Sequence, residues 1–333
     1  MSLSSTLSLS DPTALGRSDK KNRKSMDSSM KRFLFGMGIA LNLIAVACNI
    51  GNGADRELVA KPIIVETPKN ELNGILATKD LMVGMNRVAF LLANSKALIT
   101  TPTVSLKPIY LGAAASVWQA VTPELYMWPF GSRASYVTEL FFDRSGDWQL
   151  DVEVEEEDGS ISLARILLHV QEASVTPSLG TVPPTALNKT IRDVDDMQEL
   201  TTRSTPDRDL YVMTIAEALE TEQPLLVVFA SPAVCTSPTC GPQVETVEEL
   251  KDQYKSRMNF IHVEVYDNPG KIQGDLSRAK FAPIIDTWGF TQLEGYRNES
   301  FVFIIDGDGR ITSKYEGFAT KRELEKGLEE VLD

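Results

Sequence analysis

The segment "PLLVVFASPAVCTSPTCGPQVETVEELKDQY", residues 224–254, combines an apolar run, two cysteines and a helical pattern. The run over residues 224–230 contains no polar side chain, which predicts a strand buried on both faces. From Val244 onward, apolar residues recur on one face of a helix. Cys235 and Cys240 lie between these two elements. The segment therefore predicts a strand, a cysteine-containing loop and a helix in succession.

The spacing of the two cysteines limits how this loop can fold. A disulfide needs Cα atoms within about 7 Å, and cysteines five positions apart in one continuous helix are too distant and point in different directions. A disulfide is therefore allowed only if Cys235 lies in the loop before the helix. Pro238 and the Gly241-Pro242 pair favour such an irregular helix start. Both a redox-active pair and an inert structural staple fit this arrangement.

The rest of residues 210–333 alternates between helical and strand patterns. The predicted order is helix, strand, cysteine loop, helix, strand, helix, hairpin, helix, and a Thr-x-x-Glu capping pattern at Thr320 opens the last helix. An Asp-Gly turn marks the hairpin. The elements around the cysteine segment are, in chain order, "TIAEALETE", "MNFIHVEVY", "LSRAKFAPIIDTWGF", "SFVFIIDGDGRITSKYEG" and "TKRELEKGLEEVL".

This order resembles the thioredoxin superfamily, in particular secreted bacterial thioredoxin-like proteins with an immunoglobulin-like N-terminal domain. The matching pieces are "TPDRDLYVMTIAEAL", "VVFASPAVCTSPTCGP", "FIHVEVYDNP" and "FVFIIDGDGRITSKYEG". The resemblance implies an α/β thioredoxin-like domain over residues 210–333, with Cys235 as the nucleophile and Cys240 as the resolving thiol. The family spacing is Cys-x2-Cys, whereas this chain has Cys-x4-Cys.

The same resemblance suggests which residues line the site. Thioredoxins place a cis-proline just before the first hairpin strand, facing the active cysteine, but the matching position here falls at about Ser300, with no proline nearby. The implied activity is disulfide exchange with exported protein thiols, without a cofactor. The candidate lining residues are Pro232, Thr236, Pro242, Tyr296, Arg297 and Ser300.

Three other functions remain open from the sequence. Peroxiredoxins use Pro-x3-Thr/Ser-x2-Cys; Pro232 and Thr236 fit this pattern, but the cysteine falls one residue late, at Cys240. Copper chaperones of the thioredoxin superfamily pair two loop cysteines with a distal histidine. His262 is the candidate here, although its position within a strand favours a structural role. The third alternative is a non-catalytic thioredoxin-fold binding or scaffold protein.

Residues 61–172 carry a β pattern instead. Strand-length runs such as "WQLDVEVEEE" alternate apolar and polar side chains, as half-buried antiparallel strands do. The stretch "YVTELFFDRSGDWQLDVEV" resembles bacterial immunoglobulin-like domains, which implies a β-sandwich. The aromatic patch "ELYMWPF" predicts core packing or a loop cluster, with a partner-binding edge as the alternative. Residues 173–209, rich in Pro, Thr, Ser and Asp, predict a linker.

The N-terminus carries a targeting pattern. Residues 1–29 are polar and Ser-rich and predict a disordered extension. Residues 30–47 have two basic residues followed by an uncharged apolar stretch, which is typical of a signal segment. The sequence "AVAC" that ends at Cys48 resembles the lipobox of bacterial lipoproteins, which implies a lipid on Cys48. Residues 48–60 then predict a flexible tether.

Two alternatives to lipidation place the protein outside the cytoplasm as well. In one, residues 30–47 remain as an uncleaved membrane anchor; in the other, the chain is cut after Ala47 and secreted as a soluble protein. In both, the residues after the signal segment lie outside the cytoplasm. We therefore expect an extracytoplasmic location at the cell membrane, held by a lipid or an N-terminal anchor. If Cys48 is lipidated, Cys235 and Cys240 remain as an even pair in an oxidising compartment.

The charge of the chain limits its partners. The formal net charge is −13, so a nucleic-acid-binding surface is not expected, because phosphate recognition requires clustered Lys and Arg. The expected partners are exported protein thiols or a redox partner protein. Two Asn-x-Ser/Thr sequons, at Asn188 and Asn298, are too common to carry an inference.

Overall fold

The computed structural model of this 333-residue chain describes residues 70–113, 116–185 and 187–332. The predicted extension, signal segment and tether, together with Cys48, lie outside the described residues. No helix among the described residues has the length and hydrophobicity needed to cross a membrane. The described chain is mostly β-sheet with few helices, and its strands form two sheets.

The first sheet has nine described strands in the order β5-β4-β8-β9-β1-β2-β7-β6, with β3 paired to β2. Most neighbouring strands are antiparallel, but β1 pairs parallel with β9 and antiparallel with β2. Strand β1 therefore joins the two halves of the sheet. The strands are β1 (Asn70–Leu76), β2 (Gly84–Ala93), β3 (Leu98–Ile99), β4 (Ser105–Tyr110), β5 (Ser116–Val117), β6 (Glu124–Met127), β7 (Ala134–Phe142), β8 (Gly146–Glu155) and β9 (Ile161–Val170).

One hydrophobic core serves both halves of this sheet. Trp148 of β8 is fully buried, and its ring lies 5.0 Å from that of Phe142 of β7. Buried side chains from β2, β7, β8 and β9 belong to one cluster, so the sheet folds over on itself. In β8, burial alternates residue by residue from Trp148 to Val154, which confirms the predicted half-buried strand.

The second sheet has four strands in the order β11-β10-β12-β13. Strands β10 and β11 are parallel, whereas β12 is antiparallel to both β10 and β13. The strands are β10 (Leu225–Ala230), β11 (Asn259–Glu264), β12 (Phe301–Ile305) and β13 (Ile311–Glu316). The helices are α1 (Ile215–Leu219), α2 (Cys240–Tyr254), α3 (Pro269–Ile272), α4 (Pro283–Thr287) and α5 (Lys321–Leu332).

The local sequence explains most of these elements. All six residues of β10 are buried, as the continuous apolar run predicts. A full capping box at Thr214 starts α1, and the Thr320 hydroxyl accepts the N–H of Glu323 at the start of α5. The β12–β13 turn ends at Gly309, whose φ of 76° is a conformation that glycine adopts without strain.

One helix prediction was too long. The expected helix over residues 276–290 is an α-helix only over Pro283–Thr287. Ala282 precedes a proline and is extended, with ψ of 144°, because the proline ring disfavours helical geometry in the residue before it. The residues just before it instead run beside the residues that follow β11, where Phe281 bridges to Tyr266.

Residues 173–209 contain a 3₁₀ turn at Met197–Glu199 and pack on the rest of the chain. Leu200 is buried in the hydrophobic cluster that contains Val244 of α2. At the other end of the segment, the backbone passes directly over Gly289. A Cβ atom at Gly289 would lie 1.9 Å from the carbonyl oxygen of Val175, so only glycine fits there.

Both sheets belong to one compact unit. Asp80, in the β1–β2 connection, is buried and pairs with Lys314 of β13 at 3.0 Å. The aromatic patch "ELYMWPF" also lies where the two sheets meet. Trp128 is buried, and its ring lies 5.1 Å from that of Phe318, so this patch packs against the second part of the chain.

Candidate functional site

The cysteine loop connects the end of β10 to the start of α2. Cys235 lies within the loop and Cys240 is the first residue of α2. The two residues form a disulfide with a Cα–Cα distance of 6.0 Å. Cys240 is fully buried, whereas Cys235 is half-buried. The bond therefore joins a half-buried residue of the loop to a fully buried residue of the helix.

Asn298 holds the loop from the opposite side. Its side chain is fully buried and makes four hydrogen bonds. The Oδ1 atom accepts the backbone N–H and the hydroxyl of Thr236, each at 2.9 Å. The Nδ2 atom donates to the carbonyl oxygen of Val234 at 2.8 Å and to the Tyr266 hydroxyl at 3.1 Å. Both neighbours of Cys235 are thus fixed by one side chain.

The backbone of Asn298 also faces the disulfide. Its carbonyl oxygen lies 3.4 Å from Cys240 Sγ and 3.6 Å from Cys235 Sγ. In the disulfide neither sulfur carries a hydrogen, so these are contacts and not hydrogen bonds. After reduction, a thiol could donate to this oxygen, whereas a thiolate would be repelled by it.

Two features act in the opposite direction and favour a thiolate. Cys240 begins α2, and the free N–H groups of a helix N-terminus stabilise a negative charge there. The Ser237 hydroxyl lies 3.5 Å from Cys235 Sγ and could donate to it after reduction. The loop therefore contains groups that stabilise the charged form and groups that stabilise the neutral form of the thiols.

The predicted lining residues from the cysteine segment lie in the loop after β10 and in the first turn of α2. Thr236 follows Cys235 and is held by Asn298. Pro232 is half-buried, and its carbonyl oxygen would lie 3.5 Å from a Cβ atom placed on Gly241. Pro242 is in the first turn of α2, where its carbonyl oxygen accepts the hydroxyl of Thr246.

The predicted residues from the β12 side behave differently. Ser300 is buried, and its hydroxyl donates to the carbonyl oxygen of Gly317 at 3.1 Å. The residue with a carbonyl at the disulfide is instead Asn298, two positions earlier. Tyr296 packs its ring against Phe290 at 5.4 Å, while Arg297 is exposed. Sequence reasoning noted Asn298 only as a sequon and did not assign it to the site.

A buried carboxylate lies behind the base of the loop. Glu264 ends β11 and is 6% exposed. Its carboxylate accepts a hydrogen bond from the hydroxyl of Ser231, the first loop residue. It also accepts hydrogen bonds from the backbone N–H and the hydroxyl of Thr202. The Thr202 hydroxyl oxygen in turn accepts the N–H of Ala233 at 3.2 Å. Burial raises the pKa of the Glu264 carboxyl to about 7, even though these donors favour the ionised form.

His262 lies on the same face of β11 and is also buried. Its Nδ1 atom is 2.6 Å from the Tyr211 hydroxyl oxygen, and its Nε2 atom is 3.0 Å from the carbonyl oxygen of Ala230. Burial lowers the pKa of His262 to about 4, so the ring is neutral at physiological pH. Both ring nitrogens have partners, which gives no support to copper ligation. Within the described ranges, no group of three or more His, Cys, Asp or Glu side chains is arranged to hold a metal ion.

The first sheet also reaches the site. Lys79, in the β1–β2 connection, pairs with Glu299 at 3.1 Å, next to Asn298. The backbone N–H of Lys79 donates to the Glu316 carboxylate at 2.7 Å. Burial raises the pKa of Glu316 to about 7. The loop that faces the disulfide is therefore braced by a segment about 220 residues earlier in the chain.

No protein-family model matches this chain, and no curated protein matches it.

Proposed function

We propose that the protein is an extracytoplasmic thiol-disulfide oxidoreductase that acts on exported protein thiols through Cys235 and Cys240. The observation that carries this proposal is the disulfide between the loop after β10 and the first residue of α2. A half-buried cysteine joined to a fully buried one suits a reaction in which partners react with Cys235 and not with Cys240.

The reaction can be written for the oxidised pair. A substrate thiolate attacks Cys235 Sγ, which forms a mixed disulfide and releases Cys240 as a thiolate. A second substrate thiolate then attacks the substrate sulfur of the mixed disulfide, which releases Cys235 as a thiolate. One substrate disulfide is formed and the Cys235–Cys240 bond is reduced. In the reverse direction Cys235 attacks a substrate disulfide and Cys240 resolves the mixed disulfide.

The topology supports a thioredoxin-like domain over residues 210–333. A parallel β-α-β unit, β10-α2-β11, is followed by the antiparallel hairpin of β12 and β13 and a terminal helix, an order that resembles the thioredoxin arrangement. For residues 61–172, antiparallel strands folded over one core support an immunoglobulin-like β-sandwich. We propose residues 173–209 as the linker between them.

The location rests on the N-terminal sequence. The signal-like residues 30–47 and the lipobox-like end at Cys48 support an extracytoplasmic protein, anchored to the membrane by a lipid or by the segment itself. The mass of the N-terminal peptide of the purified mature protein tests this. A diacylglyceryl cysteine at Cys48 is the expected result, and an unmodified chain that begins at Met1 would contradict export by cleavage.

Trapping tests the proposed exchange. The Cys240→Ser variant retains the attacking thiol but cannot resolve a mixed disulfide, so exported partners should accumulate as reductant-sensitive adducts on Cys235. Cys235→Ser is the matched control, because it retains one loop thiol of the same pair and should trap none. Equal adduct yields from the two variants, or none from either, would contradict the proposal.

A non-catalytic scaffold is the second candidate. It is favoured by the complete burial of Cys240 and by the Asn298 carbonyl oxygen, which packs against both sulfurs. A scaffold needs no exchange, so neither variant would trap a partner. The structure adds no support for a peroxidase, because the Thr236 hydroxyl donates its hydrogen bond to Asn298 Oδ1 and not to a cysteine sulfur.

A further inference from the structure

The segment between β11 and α4, residues 265–282, presents hydrophobic side chains to solvent. In residues 210–332, the exposed large hydrophobic side chains are Val212, Leu276 and Phe281, and two of these lie in this segment. Phe281 is 42% exposed. Exposed aromatic rings are common on surfaces that bind other proteins.

Phe281 is held in a fixed position. Its ring stacks on the Tyr266 ring with centroids 5.6 Å apart, and the Tyr296 ring lies 6.0 Å away on another loop. The surrounding backbone is bonded to the end of β11, since Ala282 N–H donates to the carbonyl oxygen of Val265 at 2.9 Å. Because the Phe281 ring is already ordered, binding a partner to it costs little conformational entropy.

Tyr266 and Asn298 connect this ring to the disulfide. Tyr266, under the Phe281 ring, accepts a hydrogen bond from Asn298 Nδ2 at 3.1 Å. The Asn298 carbonyl oxygen lies 3.4 Å from Cys240 Sγ. A continuous series of contacts, from the Phe281 ring through Tyr266 to Asn298, therefore joins the exposed ring to the disulfide.

Cationic side chains flank the rings. Lys280 precedes Phe281, Arg297 follows Tyr296, and both are exposed. In the described part of the chain neither has an ion-pair partner within 4.0 Å, whereas the nearby Glu299 is already paired with Lys79. These two cationic side chains occur in a chain with a net charge of −13. The surface is complementary to a segment that carries both an apolar side chain and carboxylates.

We propose that Lys280, Phe281, Tyr296 and Arg297, here called the aromatic-cationic patch, dock the segment that carries the reacting cysteine of an exported partner. That segment has an aromatic or large aliphatic residue beside its cysteine and is flanked by Asp or Glu. The inference rests on the proposed function, because it assigns a substrate class to the same disulfide. The patch selects the thiol that then attacks Cys235 Sγ and displaces Cys240.

Two synthetic peptides test the selection, Ac-Glu-Phe-Cys-Glu-amide and Ac-Lys-Phe-Cys-Lys-amide. The full chain is oxidised and mixed with each peptide, and alkylation with peptide mapping measures how fast the Cys235–Cys240 bond opens. Each rate is divided by the rate of the same peptide with hydroxyethyl disulfide, which corrects for the different thiol pKa values. We expect the acidic peptide to react about tenfold faster at low salt, with the preference reduced at high salt.

Charge reversal provides the matched variants. Lys280→Glu/Arg297→Glu should reverse the preference, whereas Lys96→Glu/Arg208→Glu makes the same change in net charge at exposed positions elsewhere and should retain it. Phe281→Ser should slow both peptides. If neutral 2-mercaptoethanol opens the bond but the two peptides react at equal corrected rates, the docking inference alone is wrong. If 2-mercaptoethanol fails to open the bond in the folded protein, the proposed function fails and the docking inference fails with it.

Discussion

Asn298 offers a sharp test of how the site is built, because one side chain fixes both neighbours of Cys235. Asn298→Ala removes all four side-chain hydrogen bonds. The Val234 carbonyl and the Thr236 N–H then lose their partners. A buried polar group without a partner costs about 1–3 kcal/mol, and water can reach part of this loop. We therefore expect the free energy of unfolding to fall by about 3 kcal/mol.

The same change should make the disulfide easier to reduce. The hydrogen bonds of Asn298 hold the loop in the conformation that brings Cys235 and Cys240 together at a Cα–Cα distance of 6.0 Å. We expect about half of the lost stabilisation, roughly 1.4 kcal/mol, to be specific to the oxidised loop. Its loss would raise the reduction potential of the Cys235–Cys240 bond by about 30 mV. Equilibration in thiol-disulfide buffers, followed by alkylation and mass spectrometry, measures this potential.

Asn188→Ala is the matched control for this experiment. Asn188 is also a buried asparagine, and its Oδ1 accepts the N–H of Ile215 at 2.8 Å, outside the cysteine loop. The control should lower stability in urea unfolding without changing the reduction potential. If Asn298→Ala also leaves the potential unchanged while it lowers stability, Asn298 does not position the disulfide and the reasoning is wrong.

Two further predictions concern buried carboxylates. Because the pKa of Glu264 is raised to about 7 in the folded protein, its contribution to stability is full below pH 4.5 and is lost as pH rises through 7, by about 3 kcal/mol. In urea unfolding at pH values across this range, the free energy of unfolding should fall less for Glu264→Gln than for the wild-type protein. Equal falls in the two proteins would contradict the prediction. Asp80→Asn should cost about 3–5 kcal/mol, since it leaves the Lys314 ammonium without its buried partner. A loss under 1 kcal/mol in urea unfolding at pH 7 would show that this pair does not stabilise the junction between the sheets.

The cysteine segment was predictable because its signals are local. Residues 224–230 are uniformly apolar, and all of β10 is buried. The helical spacing from Val244 onward matches α2, whose buried face includes Val244, Val247 and Leu250. The β12–β13 hairpin follows from its Asp-Gly turn. In each case residues close in sequence determine the element.

Other parts of the site depend on contacts between distant residues. Asn298 is a polar residue in an irregular loop, and nothing within the loop indicates that its side chain is buried against Val234 and Thr236, more than 60 positions earlier. The brace from Lys79 to Glu299 is of the same kind. The helix expected over residues 276–290 was overestimated because pairing with the residues that follow β11 outweighs its helical pattern until Pro283.

The reduction potential of the Cys235–Cys240 bond in the folded wild-type protein tests the central claim most directly. A pair that exchanges disulfides with exported proteins should have a potential between about −300 and −120 mV, the range in which thiol-disulfide catalysts operate. We expect a value in this range, together with rapid opening of the bond by a small thiol in the native protein. A potential below about −300 mV, with opening only after unfolding, would show that the bond is a structural staple and would contradict the proposed function.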